Sequence, residues 1–277
     1  MARRTEGCSG DDKPDEPKLR HEFVGMMFAI AVGEVGLQAA GLVQSKHLIG
    51  YLPAAFHLVL ATIVIAASWV GWSRSLARQD VKELFEWPFV VLLLDVAMVV
   101  IYFILVKTVD FSDDHHRIDP AYAVARWHVL IFLLYLLWDV VTKFVMPRPD
   151  RQTKQEWEAS RLRIIPTAIC LVLSCFVWRA FWDADYEHWL TADIALLSIV
   201  LLFRALKELF SAKSRSVFRW SCTLACVLGF IVGTLMTYYK WPLPLSASVI
   251  QEMQRYDVTK ESAAVAPEPP KIGPVKR

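Results

Sequence analysis

The chain has 277 residues, 55% of them hydrophobic and 21% charged, with a formal net charge of +2. A soluble domain carries about 25% charged residues and about 45–50% apolar ones, and here the charges are also clustered, leaving residues 48–73 and 220–239 without one. Apolar runs of about 18 residues or more read as transmembrane helices, which excludes an ordinary globular fold. The basic residues are scattered among loops and form no basic face, which excludes a nucleic-acid partner.

Residues 1–22 are polar and mix both signs (Arg3, Arg4, Asp11, Asp12, Glu16, Arg20), the pattern of a disordered cytoplasmic leader. The apolar stretch 23–43 follows basic residues, as a signal peptide would. Its length and the charge at Glu34 do not suit a cleavable core of about 7–15 residues, so it is expected to stay as the first membrane helix. Six further spans are expected at 50–73, 87–105, 126–145, 162–182, 189–203 and 220–239. At about 1.5 Å per residue, each can cross roughly 30 Å of hydrocarbon except the sixth. That one spans only if Asp193 and Arg204 snorkel to opposite interfaces. Tyr51, Trp69, Trp72, Trp87, Trp127, Trp182, Trp189, Trp220 and Tyr238 fall near span ends, as an aromatic belt requires.

The expected fold class is therefore all-α: a polytopic transmembrane helix bundle of about seven helices over 23–239, with the N-terminus cytoplasmic. The tail 240–277 carries six cations and a proline-containing run, and reads as disordered apart from a short surface helix near 246–256. Loop charge sets the orientation. The second, fourth and sixth loops with their helix ends hold fourteen cations, among them Arg74, Lys82, Lys143, Arg161, Arg163, Arg204 and Lys207, against five in the odd-numbered loops. The positive-inside rule puts the basic set and the N-terminus in the cytoplasm. The plasma (inner) membrane is the expected location.

The five cysteines (Cys8, Cys170, Cys175, Cys222, Cys226) form no C-x-x-C pair, and the four within expected spans read as small apolar packing residues rather than a redox or metal pair. Asp113, Asp114, His115 and His116 read as a solvated loop ahead of a divalent-ion site. No P-loop, Rossmann fingerprint, H-E-x-x-H or G-x-S-x-G occurs. No metal or cofactor is expected, and no enzyme activity is indicated.

Ionisable groups inside a membrane cost roughly 2.5–3.5 kcal/mol each on insertion scales, so those present need an explanation. Glu34, Gln38, His57 and His128 form an outer layer, with His128 only a few ångströms below its interface; Asp95 and Asp139 form an inner one. His128, Tyr135, Asp139 and Thr142 fall within about 40° of one line on the fourth helix, at about 100° per residue. His57 shares a face with Ser68, Glu34 with Gln38 and Ser45, and Asp95 with Tyr102. Four polar-striped helices should therefore turn their stripes inward, completed by three more apolar helices.

Three readings follow for Glu34, Gln38, His57, Ser68, Asp95, Tyr102, His128, Tyr135 and Asp139. The foremost is a buried hydrogen-bonded network that fixes helix packing, in a structural, sensing or complex-assembly membrane component. The second is a proton- or cation-translocating path in which His57 and His128 exchange protons and Asp95 and Asp139 share a proton or bind a cation. The third, and least favoured, makes His57 and His128 axial ligands of a b-type haem. The partners implied are the lipid bilayer, a small ion or proton, and a second protein or copy of this chain.

Overall fold

A computed structural model describes residues 19–45, 47–75, 87–111, 116–146, 157, 161–209 and 245–255, and singly Leu224, Val227, Leu228, Ile231 and Leu235. Helix α1 covers Leu19–Gln44, α2 Leu52–Ser75 and α3 Trp87–Val106. A hairpin of strands β1 (Val109–Asp110) and β2 (Arg117–Ile118) follows, then α4 (Ala121–Val140), a π turn at Val141–Val145, α5 (Ile164–Ala180), α6 (Tyr186–Leu209) and α7 (Ala247–Arg255). The leader up to residue 18, the acidic-histidine residues Asp113, Asp114 and His115, nearly all of the seventh expected span and the tail beyond 255 lie outside the described residues.

Among the described residues, five segments are long and apolar enough to cross a membrane: 22–44, 52–73, 87–106, 121–145 and 186–207. Their outward side chains fit a lipid environment: Met26, Ile30, Leu37, Leu93, Val100, Leu133 and Leu201 are all exposed. Helix α5 is apolar but shorter, at 17 residues.

Helix limits follow local chemistry. Pro53, Pro88 and Pro166 each sit in a first turn, where the missing N–H has no helical partner to lose. The π turn closes with Met146 N donating to Val141 O at 3.0 Å. Met146 then turns extended (φ −73°, ψ 144°) because Pro147 disfavours helical backbone before it.

The bundle pairs α2 with α6, α4 with α5, α5 with α6, and α1 with both α2 and α3. The hairpin caps one end. Val109 and Ile118 are buried, Asp119 N donates to Thr108 O at 2.7 Å, and Tyr186 Oη reaches Gly50 O at 3.1 Å from α6. Two-residue strands leave no alternating pattern in a sequence, so this element is absent from the all-helical expectation.

Three boundaries differ from expectation. Helix α1 starts at Leu19, and α4 starts at Ala121 rather than 126, which sets His128 about 10 Å below its start. Helix α6 runs over 24 residues, so Asp193 and Arg204 lie within it and do not snorkel from its two ends. Asp193 is 1% exposed. The Arg204 guanidinium lies against α2, where a Cβ on Gly71 would meet Nη1 at 2.7 Å. Counting only uncharged residues truncated this helix, because its charges are paired or packed inside. The surface helix expected near 246–256 is present as α7, with Met253 fully buried in the contact with α6.

Gly41 is where α1 meets the hairpin: a Cβ there would stand 2.8 Å from Phe111 Cβ and 2.8 Å from its carbonyl oxygen. Backbone on the far side cannot move aside as a side chain can. Gly41→Ala is therefore expected to destabilise the fold by about 1–3 kcal/mol. Gly33→Ala, with nothing within 4 Å, should be neutral or stabilising by up to about 1 kcal/mol. Unfolding of the two variants in mixed micelles measures the contrast.

Candidate functional site: a layered polar core

Gln38, His57, Ser68, Asp95, Tyr102, His128 and Asp139 are each between 1% and 6% exposed, while Glu34 and Tyr135 are partly buried. They fall into distinct clusters, each joining several elements. Measured along α2 from Leu52, His57, Ser68 and Trp72 lie about 8, 24 and 30 Å deep.

The outer level is built on His57. Its Nε2 lies 3.2 Å from the Asp119 carbonyl oxygen, which can only accept, so Nε2 carries a proton and donates it. Its Nδ1 lies 2.6 Å from Asp193 Oδ2, and both side chains are about 1% exposed. A lone pair facing a carboxylate would repel it, so one more proton occupies this contact. The pair is neutral as a unit, as imidazolium with carboxylate or imidazole with carboxylic acid. The Trp189 ring lies 6.3 Å from that of His57. Helices α2 and α6 and the start of α4 are thus joined through one ring.

His128 lies at a similar depth and donates from Nδ1 to Val124 O at 3.0 Å. Its Nε2, Asp193 Oδ1 and Ser174 Oγ are buried without a hydrogen-bond partner among the described residues. Both ring nitrogens of His57 are engaged, so an axial bond from it to haem iron would require one of these contacts to break.

A second outer cluster joins α1 to the hairpin. Glu34 Oε1 accepts from Lys107 Nζ at 2.8 Å and from Gln38 Nε2 at 2.7 Å, while Gln38 Oε1 accepts from Phe111 N at 2.7 Å. The ring of His116, the described member of the acidic-histidine loop, stacks on Phe111 with centroids 4.7 Å apart.

The middle level carries hydroxyls. Ser68 Oγ donates to Val64 O at 2.6 Å, which uses its only proton, so it accepts from Tyr135 Oη in their short contact. Tyr135 in turn accepts from Tyr102 Oη at 2.9 Å. The chain runs in one direction across α3, α4 and α2. Beside it, Val64, Ser68, His128, Tyr135, Phe203 and Arg204 line a cavity of about 10 Å³, the size of one water.

The inner level is built on Asp139. Its Oδ2 accepts from Thr167 Oγ1 at 2.6 Å and from Lys207 Nζ at 2.8 Å, and its Oδ1 accepts from Lys143. Helices α4, α5 and α6 meet on this one carboxylate. Asp95 is bound separately, accepting from Trp72 Nε1 at 3.2 Å. The two inner carboxylates therefore have separate partners.

The structure adds residues that the sequence reading left out. Helix α6, taken as apolar filling, supplies Asp193, Arg204 and Lys207, and α5 supplies Thr167. The sequence held one signal for them: a histidine and an aspartate deep in lipid each need a partner of opposite character, and α6 carries both kinds. Cys170 is buried and Cys175 exposed, so these two face apart. Among the described residues, no group of His, Cys, Asp and Glu side chains could hold a metal ion.

Fold and site together define a class, a multi-helix membrane bundle tied internally by polar cross-links. Within that class, no protein-family model, curated protein or solved structure matches the chain.

Removing one member of a buried pair strands the other, at a cost of about 3–5 kcal/mol, whereas an apolar replacement of both can be nearly neutral. His57→Leu and Asp193→Leu are each expected to show such a loss in micelle unfolding. The double variant should lose clearly less than the sum. Additive losses would mean that the two side chains do not interact.

Proposed function

We propose that this chain is a structural, sensing or complex-assembly component of a plasma or inner membrane, crossing it about seven times from a cytoplasmic N-terminus. One observation carries the reading. Each intramembrane carboxylate among the described residues is held by a side chain from another element: Glu34 by Lys107, Asp95 by Trp72, Asp139 by Thr167 and Lys207, and Asp193 by His57. Lipid gives no hydrophobic force between helices, so such bonds and close packing must hold them together. The polar groups then serve as clamps. A specific helix arrangement is what a membrane component needs to present a fixed face to a partner.

The orientation rests on the excess of cations in the even-numbered loops. It is supported by the gathering of Lys143, Arg161, Arg163, Arg204 and Lys207 at the bundle end away from the hairpin. A second reading, proton translocation, is favoured by the shared proton of His57 and Asp193 and by the hydroxyl chain of Tyr102, Tyr135 and Ser68.

Proteoliposomes with and without a pH gradient separate the readings. The clamp reading expects no proton or cation flux above empty vesicles, and Asp95→Asn and Asp139→Asn that change stability alone. Flux in the wild type that both variants abolish would replace it with the transport reading. For orientation, a membrane-impermeant maleimide should modify Cys8 in inside-out vesicles and not in right-side-out ones, with the other four cysteines replaced by alanine.

A further inference from the structure

Where the π turn, the start of α5 and the end of α6 converge, cations outnumber their partner. Lys143 and Lys207 are 12% and 23% exposed and share the single carboxylate of Asp139. That unit keeps a net charge of +1 at the membrane edge. Arg163 lies within electrostatic range of both Lys143 and Lys207, while the Arg204 guanidinium turns inward against Gly71. Arg161 extends the basic surface outward. Its Nε donates to Lys143 O at 3.3 Å, and its guanidinium stands over the rings of Phe144 at 5.0 Å and Trp157 at 5.9 Å.

The rim of this surface is apolar. Phe144, Val145, Leu162 and Ile165 are between 41% and 53% exposed. A cationic floor with an aromatic and aliphatic rim at helix ends matches a ligand with an anionic head and apolar tails. Arginine and lysine donors suit phosphate oxygens, and basic pockets between membrane helices on the cytoplasmic side take anionic lipid head groups.

We propose that the basic surface formed by Lys143, Arg161, Arg163 and Lys207 binds the phosphate head group of an anionic phospholipid, whose acyl chains lie along Phe144, Leu162 and Ile165. The site rests on the chain being membrane-embedded. The lipid phosphate offsets the charge left over at Asp139 and links α4, α5 and α6 from the interface.

The test uses the full chain in nanodiscs of phosphatidylcholine mixed with phosphatidylglycerol, followed by native mass spectrometry of the lipids that remain bound. The expected result is retention of the anionic lipid about tenfold above its share of the bilayer. Arg161→Gln and Arg161→Gln/Arg163→Gln should reduce it in steps. Arg161 is exposed, so its single variant keeps the question open to measurement if the double variant does not fold. Equal retention of the two lipids, or retention unchanged in Arg161→Gln, overturns the proposal. So does equal thermal stabilisation by inorganic phosphate alone, which would assign the site to a soluble anion. Release of the chain from membranes by alkaline carbonate would instead overturn the membrane reading beneath it.

Discussion

Asp193 sits about 10 Å inside a helix that must cross lipid, 1% exposed, and nothing but protein can solvate it there. Its carboxylate is tolerable only beside a proton or a donor, because an unpaired charge in that setting costs many kcal/mol. His57, 136 residues away in sequence, shares a proton with it across the contact of α2 with α6. That contact fixes the depth of α2 against α6. With α2 and α6 pinned at His57 and Asp193, Ser68 comes level with Tyr135, Trp72 comes level with Asp95, and Lys207 meets Asp139. A slide of α2 by one helical turn, about 5.4 Å, would break its contacts to Asp193, Tyr135 and Asp95 together.

Close packing reinforces the same register. Gly25 lets Trp69 approach α1, Gly71 admits the Arg204 guanidinium, and Gly41 admits the hairpin backbone. Small residues at such crossings let membrane helices gain dispersion contact that lipid would otherwise supply. Phe28, Trp69, Trp72 and Tyr102 fill the space between α1, α2 and α3, with ring centroids 5.2 to 5.9 Å apart. Two of those rings sit at positions that the sequence marks as an interfacial belt, and Trp72 is 7% exposed. Tryptophan near a span end can therefore be core as well as belt.

Legibility in the sequence tracked the strength of the underlying force. Hydrophobic length is large and additive, so four spans were readable to within a few residues at most ends. Interior-facing polar stripes were readable because a polar side chain facing lipid is costly wherever it occurs. Partner identity was not readable, because pairing depends on three-dimensional neighbours: His57 meets Asp193, while Asp95 and Asp139 keep separate partners. The sixth helix failed for a specific reason. Treating Asp193 and Arg204 as boundary markers assumes that charge ends a span, and here charge is the reason the span is held. The start of α4 failed because residues 121–125 are only moderately apolar, and their burial comes from the hairpin and neighbouring helices.

The three levels also differ in charge, and that bears on what could move through them. The outer pair is neutral as a unit, the hydroxyl level is uncharged apart from Arg204 beside it, and at the inner level two lysines share the Asp139 carboxylate while Asp95 stands apart on Trp72. A cation travelling from the hairpin end would find Asp139 already bound by three donors. A proton fares little better in the ground state. Each hydroxyl in the chain from Tyr102 to Ser68 already donates its only proton, and the chain ends on the Val64 carbonyl, which cannot pass a proton on. Conduction would need Ser68 to turn away from its own helix and the Lys–Asp unit to open together. Both motions undo contacts between helices, so in this architecture the features that would conduct are the ones that hold the bundle closed.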